Sequence, residues 1–591
     1  MNQYININSE LDALKIKELE KIFYNKDNPN ISIIPKVTPF KGINTDLMYI
    51  QENKVLFIKF MDTSEDLFFL LEEELIEVMS EENNLLKIKM AKNYKDIIYN
   101  YIFVMPYVTL EDDYENDFVK NNIIDKNKLQ SIIDDNNYIN KYLKESNNDI
   151  GLNLFILDIC PEYYVLNEKN NFNKNFKKIS FYNEEYKYSA NVLEENQIVD
   201  VISIKYGNTL FEGGSGTGKS TIMLSRAIKL ARVYPHHKFL ILTESKQVCN
   251  ELREKCSLLY KNNNNLEIHT LHTFVLKLAK RFNLVLDYNM LKKDYDKTFN
   301  NLIKQAQNII KTKNMFKGIF IDEGECFSSY NLNFIREFLY KTKYIFNIFT
   351  CNCSNISNNL NIFKYNLYDI EFKEKIILNT NYRQTKELLD FVNNFSNNSN
   401  EYILSLRESN INNKFYISKP LREGNKNVDI IKVSDLYEQI SSVLWEIDYL
   451  VNKKGLDYGD IGIIYPYNKK KLKNGKTIYF QYMLKKALEE SEIPYIYADD
   501  NLTNISKKIG VTMSNIYTIK GLEYKAIIVC ELEMLYNHKI MDTHQDYQIN
   551  DFVGDLNKVY SAINRASDYL SIITTFNESS SDIIKLLIDS K

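Results

Sequence analysis

The stretch FEGGSGTGKSTI, residues 211–222, constrains this chain more than any other. Glycine is scarce, 17 in 591 residues, yet four glycines fall between Gly213 and Gly218. GGSGTGKS fits the pattern G-x-x-x-x-G-K-[ST] from Gly213 to Ser220, after a strand-like NTLFE and before a helix-like STIMLSRAIKLARVY. Such glycines free backbone N–H groups to wrap phosphate, and the helix N-terminus adds the positive end of its dipole. Gly213, Gly216 and Gly218 are the expected cradle. Lys219 is expected to reach the β- and γ-phosphates, Ser220 to hold Mg²⁺, and Thr221 to lie against the same nucleotide.

About a hundred residues downstream, KGIFIDEGECF reads as an apolar strand ending in Asp322 and Glu323. Beside a phosphate loop, Asp322 is the expected Mg²⁺ partner, and Glu323 is placed to orient or deprotonate an attacking water. From about residue 190 onward, short apolar strands (KFLILTES, YIFNIFT, DIGIIYP, KAIIVCEL) alternate with amphipathic helices. That rhythm predicts parallel α/β sheets.

Length predicts three or four domains. A net charge of −4 excludes a polybasic nucleic-acid coat but not a locally basic groove. No run approaches 18 apolar residues, and the N-terminus lacks a secretion pattern, so a cytoplasmic protein without a membrane span is expected. The seven cysteines are scattered; only Cys351 and Cys353 sit close, and neither they nor the six histidines complete a metal set.

The order of the remaining motifs resembles a superfamily 1 helicase of the UvrD/Rep class over roughly residues 190–591. LEENQ resembles the adenine-reading glutamine motif, which implies Gln197 on the base. LILTESKQVCNEL and IHTLHTFVLKLAKRF resemble the segments that line the single-strand path in that family, implicating Thr243, Ser245, Lys246, Thr270 and His272. ILNTNYRQTKELLDF resembles motif IV, implying that Tyr382 stacks on adenine and Arg383 contacts the γ-phosphate. MSNIYTIKGLEYKAIIV resembles motif V, with Lys520 and Gly521 near the strand or the phosphates and Glu523 on the ribose. LNKVYSAINRASDYLSII resembles motif VI, where Arg565 takes the place of a γ-phosphate arginine. The resemblance implies an ATP-driven motor on single-stranded nucleic acid, DNA in the first instance, in repair, recombination or defence.

Three departures stand out. Glu325 occupies the place where the acidic motif usually ends in glutamine, and an ionised carboxylate cannot donate hydrogen bonds. The motif III region reads IFTCNCSNIS, with the glutamine position at about Ser354 and no aromatic close behind. The insertions are short, which predicts a nearly bare two-lobe motor.

The N-terminal stretch FKGINTDLMYIQENKVLFIKF more faintly resembles the nuclease-related (NERD) domain. Glu10, Asp46 and Lys59 fit that pattern, but Phe57 stands at the position of one glutamate. Two carboxylates are needed to flank a catalytic metal, so a docking role is expected more than cutting.

The expected fold is α/β: two RecA-like parallel-sheet lobes forming an ATP cleft, preceded by a smaller α+β N-terminal domain. The expected division is 1–110 for the NERD-like domain, 111–190 for a mixed helical connector, 191–372 for the first lobe and 373–591 for the second. ATP and Mg²⁺ are the expected cofactors. A nuclease–helicase and a regulatory ATP switch without unwinding remain the alternatives.

Overall fold

The computed structural model describes residues 22–23, 31–35, 37, 39–40, 43–51, 54–94, 97–111, 114–144, 159–168, 179–180, 188–260, 264–285, 294–309, 314–351, 370–406, 414–424, 428–467, 470–471, 477–478, 480–498, 510–519, 522–535, 546–575 and 581–591. The chain opens with a five-stranded sheet in the order β1 (Ile31–Pro35), β2 (Leu47–Gln51), β3 (Lys54–Phe60), β4 (Tyr99–Val104) and β5 (Ile123–Ile124). β1, β2 and β3 pair antiparallel; β3, β4 and β5 pair parallel. The helix Glu72–Asn93 makes the crossover between β3 and β4.

This domain runs past the expected boundary at 110. Ile123 and Ile124 are fully buried and complete its sheet, and the helix Lys126–Asp134 packs Leu129 and Ile132 beneath it. Within 111–190 the helices Asp117–Asn122 and Lys126–Asp134 and the turn of helix Asn136–Tyr142 come first. Beyond them the described residues form a short turn, Pro161–Tyr163, with an antiparallel sheet of β6 (Tyr164–Glu168), β7 (Ile179–Ser180) and β8 (Tyr188–Val192) in the order β6-β8-β7. Aromatic and β-branched residues in YYVLN and YSANV favour extended pairing over a helix.

The first lobe is a six-stranded, all-parallel sheet. Its strands are β9 (Gly207–Gly213), β10 (Phe239–Thr243), β11 (Leu266–Thr270), β12 (Gly318–Ile321), β13 (Ile345–Thr350) and β14 (Glu374–Leu378), in the order β11-β10-β12-β13-β9-β14. The edge strand β14 carries this lobe beyond the expected limit at 372 because it pairs directly with β9. Runs such as FLILT are buried along their whole length, as expected of a sheet covered on both faces.

One residue, Asn379, separates β14 from β15 (Thr380–Thr385), which pairs with β16 (Lys419–Arg422). The second lobe repeats the parallel design with β17 (Val428–Val433), β18 (Ile461–Tyr465), a small hairpin of β19 (Lys470–Lys471) and β20 (Thr477–Ile478), then β21 (Tyr495–Tyr497), β22 (Val511–Asn515), β23 (Tyr524–Cys530) and β24 (Ala566–Thr575). The sheet order is β17-β24-β23-β18-β22-β21. Two hydrophobic cores cover its faces. The fold is therefore α/β with two RecA-like parallel-sheet lobes.

Candidate functional site

The first lobe's strands end at one edge, and the sequence candidates collect there. Across the sheet that edge carries Thr270, Thr243, Asp322, Thr350 and Gly213. Open parallel sheets bind ligands at this edge.

β9 runs into the loop 213–218 and then into the helix Lys219–Val233. Gly216 and Gly218 have φ of +78° and +81°, a region that side chains with a Cβ rarely adopt. Space is equally limiting. A Cβ on Gly216 would lie 2.8 Å from Asn381 Oδ1, and one on Gly218 would lie 2.6 Å from Gln197 Nε2. A Cβ on Gly213 would meet Thr217 Oγ1 at 2.7 Å. Lys219 Nζ donates to the carbonyls of Gly213 (2.9 Å) and Gly214 (2.6 Å). Thr221 follows in the first turn of the helix, half-buried.

Asp322 follows β12 and is buried; its Oδ1 accepts from Glu323 N at 3.0 Å. Burial, and then the neighbouring Glu323, pushes its carboxyl up to about 7; a hydrogen bond from Ser220 and the charge of Lys219 pull the other way. Its Oδ2 is buried without a hydrogen-bond partner among the described residues. A buried carboxylate with a spare oxygen beside a serine hydroxyl suits a divalent cation, whose charge offsets the burial penalty. Glu323 has φ +52°, the left-handed region, at a cost of about 1–3 kcal/mol. Strain of this kind at the end of a buried strand accords with a site residue.

Glu325, the expected departure, is buried as an acceptor. Its Oε2 takes Thr350 Oγ1 at 3.0 Å and Cys351 N at 3.1 Å. It therefore ties the acidic strand end to the end of the neighbouring strand, a role that requires no donor.

Gln197 lies on the helix Glu195–Ile202 and caps it, its Oε1 accepting from Glu194 N at 3.3 Å. That helix is pinned behind the phosphate loop by the buried Arg226, which donates to the carbonyls of Asp200 and Ser203 (3.1 Å) and to Asn347 Oδ1 (3.1 Å). Tyr382 sits across from Gln197 against Gly218, its N donating to Gly216 O at 2.9 Å. Burial, then the carboxylates of Glu194 and Asp200, pushes its phenol up to about 12.

Arg383 closes the far side. Its Nη1 donates to Ser215 Oγ in the phosphate loop (2.8 Å) and to the carbonyl of Asn564 (3.1 Å), and its Nη2 pairs with Glu523. Arg565 follows Asn564 at the start of β24, its Nε on Ser561 O at 3.1 Å. Burial, with the Arg383 guanidinium beside it, holds Arg565 below the usual arginine range, while Glu523 and Glu323 act in the opposite sense. Arg383 and Arg565 thus lie beside each other, Arg383 on the phosphate loop through Ser215 and Arg565 within reach of the charge of Glu323.

Residues 193–482 match the family model of the UvrD/REP helicase N-terminal domain. Over that span the chain is similar to UvrD/REP helicases. A solved structure described as the C-terminal domain of a possible DNA helicase from Lactobacillus plantarum WCFS1 is similar at 16% identity and a TM-score of 0.22, covering 36% of this chain and 94% of that one. No curated protein matches the chain.

On the other half of the first lobe's edge, Thr243 pairs in register with Thr270. Thr243 is buried, and its hydroxyl has no partner among the described residues. Ser245 and Thr270 cap the helices Lys246–Leu259 and Leu271–Arg281, accepting from Val248 N (3.3 Å) and Thr273 N (3.2 Å). Lys246 is exposed, and the His272 ring packs on Phe299 at 4.6 Å between centroids. Lys520, Gly521, Ser354 and Glu10 lie outside the described residues.

Sequence reasoning missed several residues that organise the site. Asn381 donates to Ser215 O at 3.0 Å and accepts from Arg383 N and Gln384 N at 2.9 Å each. Arg422 pairs with Asp568 at 2.7 Å and donates to the carbonyl of Arg383. Arg226 left a usable signal, an arginine within the apolar run TIMLSRAIKL. Asn381 left only its proximity to Arg383.

Proposed function

We propose that this chain is an ATP-dependent translocase on single-stranded nucleic acid, DNA in the first instance, whose two lobes couple hydrolysis to strand movement. The observation that carries the reading is Arg383, held at once by the phosphate loop and by the segment that leads into β24. Hydrolysis at such a site depends on lobe closure, and closing and reopening across a bound strand converts turnover into steps. Gln197 and Tyr382 would hold the base, Glu523 the ribose, and the loop with Lys219 and Thr221 the phosphates. Ser220 and Asp322 would hold Mg²⁺, which when bound neutralises phosphate charge. Glu323 would take a proton from the attacking water.

The strand would cross the edge beside Thr243 and Thr270, where the N-termini of the helices Lys246–Leu259 and Leu271–Arg281 offer backbone N–H groups to phosphates. Ser245, Lys246 and His272 would flank this path, with Lys520 opposite. Such contacts grip the backbone and tolerate any sequence. A role in repair, recombination or defence, in the cytoplasm, belongs to the same proposal. Among the described residues no helix is long and apolar enough to cross a membrane.

For the N-terminal domain we propose docking. Phe57 is buried in the core where a nuclease glutamate would stand, and Lys59 is paired with Glu82 at 2.5 Å. Asp46 accepts from Phe60 N at 2.8 Å.

The test is ATP turnover with and without single-stranded DNA, with RNA run alongside. Stimulation by the strand is expected, together with loss of turnover in Lys219→Ala. Turnover indifferent to both nucleic acids at low and moderate salt would refute the motor and favour a nucleotide switch.

A further inference from the structure

Two tyrosines leave one edge of the second lobe side by side. β18 and β22 pair in register as far as Tyr465 and Asn515, and Ile516 N then donates to Tyr465 O at 3.1 Å. Tyr467 and Tyr517 each stand two residues past that last pair. The turn that carries Tyr517 is fixed from within. Asn515 Oδ1 accepts from the N–H groups of Tyr517 and Thr518 at 2.9 Å each, and Ile516 and Ile519 are buried. Tyr517 itself is 43% exposed.

Behind the two rings lies a buried lysine. Lys558, on the helix Asp546–Ile563, is 3% exposed, and its Nζ meets Asp555 Oδ1 at 2.6 Å. The same Nζ lies 5.7 Å from the centre of the Tyr467 ring and 5.5 Å from that of Tyr517, and it hydrogen-bonds both phenols. Burial disfavours its charge, but Asp555 and then the two phenols outweigh burial and hold it above the usual lysine range. An ordinary surface tyrosine exchanges rotamers freely. One whose hydroxyl is bound to a buried ammonium presents a fixed ring to the outside.

The sequence around the rings bears on what they meet. The chain that leaves Tyr467 carries Lys469, Lys470, Lys471, Lys473 and Lys476. Lys470 and Lys471 form one strand of the hairpin of β19 and β20. Lys520 follows shortly after Tyr517. A fixed ring with cations on either side of it in the chain suits a ligand that offers both phosphates and flat bases.

We propose that Tyr517 stacks on a nucleobase, and that Lys558 is the positioning residue that holds its ring for the purpose. The proposal rests on the strand-binding reading above and adds a second kind of contact to it. The first lobe's edge would grip phosphates through helix N-termini, and the second lobe would take a base. Such stacking is tolerant of sequence, because every base has a π-face.

Binding of the full chain to two fluorescent strands of equal length tests it, one oligo-dT and one of abasic deoxyribose phosphate, at a single ionic strength. The wild type is expected to prefer oligo-dT. Tyr517→Ala should weaken oligo-dT binding about tenfold and leave the abasic strand unchanged, and Tyr517→Phe, which keeps the ring, should stay within about threefold of the wild type. Lys558→Met should cost about threefold on oligo-dT by itself and nothing further in Tyr517→Ala, the non-additivity of a residue that acts through another. Circular dichroism of each variant checks that it is folded. A wild type that binds neither strand would overturn the stacking together with the strand reading. No preference for oligo-dT, or a Tyr517→Ala protein that keeps that preference, would overturn the stacking alone. Additive losses in the double variant would remove Lys558 from its positioning role.

Discussion

Alanine at Arg383 or Arg565 is expected to slow nucleotide hydrolysis about 10³-fold or more while the nucleotide still binds. On the proposed function, binding would rest mainly on the first lobe, on the loop 213–218, Lys219 and Gln197. The arginines would approach from the second lobe and meet the charge that develops on the transferring phosphoryl group. Arg565 has been taken from water into a buried position beside another guanidinium, an arrangement that burial disfavours and that nearby Glu523 and Glu323 only partly offset. A site that holds two cations together at that cost is prepared for added negative charge. Lysine should not rescue either position, because a planar fork and a point charge present donors differently. Single-turnover hydrolysis read beside equilibrium binding of a fluorescent nucleotide separates the two effects. An Arg565→Ala protein that hydrolyses at the wild-type rate would remove the two-lobe site from consideration.

Much of this cleft could be read from residues alone because its chemistry leaves little choice of side chain. A loop that wraps phosphate needs glycines at positive φ, and Gly216 and Gly218 have it. A buried strand that must end in charge shows as KGIFIDE, and the structure places Asp322 against Ser220. What was not legible depends on long-range geometry. The role of Glu325 could not be foreseen, because its two donors, Thr350 and Cys351, lie at and just past the end of β13, about twenty-five residues away in sequence. Asn381 was passed over because an asparagine in a polar segment has no pattern; only the parallel pairing of β14 with β9 brings it to Ser215. The boundary at 110 failed for the same reason. Ile123–Ile124 is too short to signal a strand, yet it completes the N-terminal sheet.

Glu162→Ala is expected to destabilise the first lobe by about 3–5 kcal/mol. Glu162 is fully buried in the turn Pro161–Tyr163 and meets Lys229 Nζ at 3.2 Å and Arg232 Nη1 at 2.5 Å, both on the helix that begins at Lys219. Burial alone would raise its carboxyl, but Arg232 and then Lys229 outweigh it and hold it below the usual carboxylate range. Alanine leaves two cations facing each other away from water with no anion between them, which is why the loss exceeds that of an exposed pair. The loss reaches beyond the connector because one continuous core runs from Phe57 and Phe103 through Tyr163 and Tyr164 to Ile222 and Ala227. Glu162 thus fastens the connector, which shares that core with the N-terminal sheet, to the helix behind the phosphate loop. Thermal denaturation should show the first transition lowered by about 10 °C, at the 2–4 °C per kcal/mol typical of a domain this size. Glu162→Gln, which keeps an acceptor, should lose less. Pairing Glu162→Leu with Lys229→Met should recover part of the loss, since one unpaired charge goes with the anion. A Glu162→Ala protein that melts with the wild type would mean that the two cations find water, and that the connector does not hold the domains together.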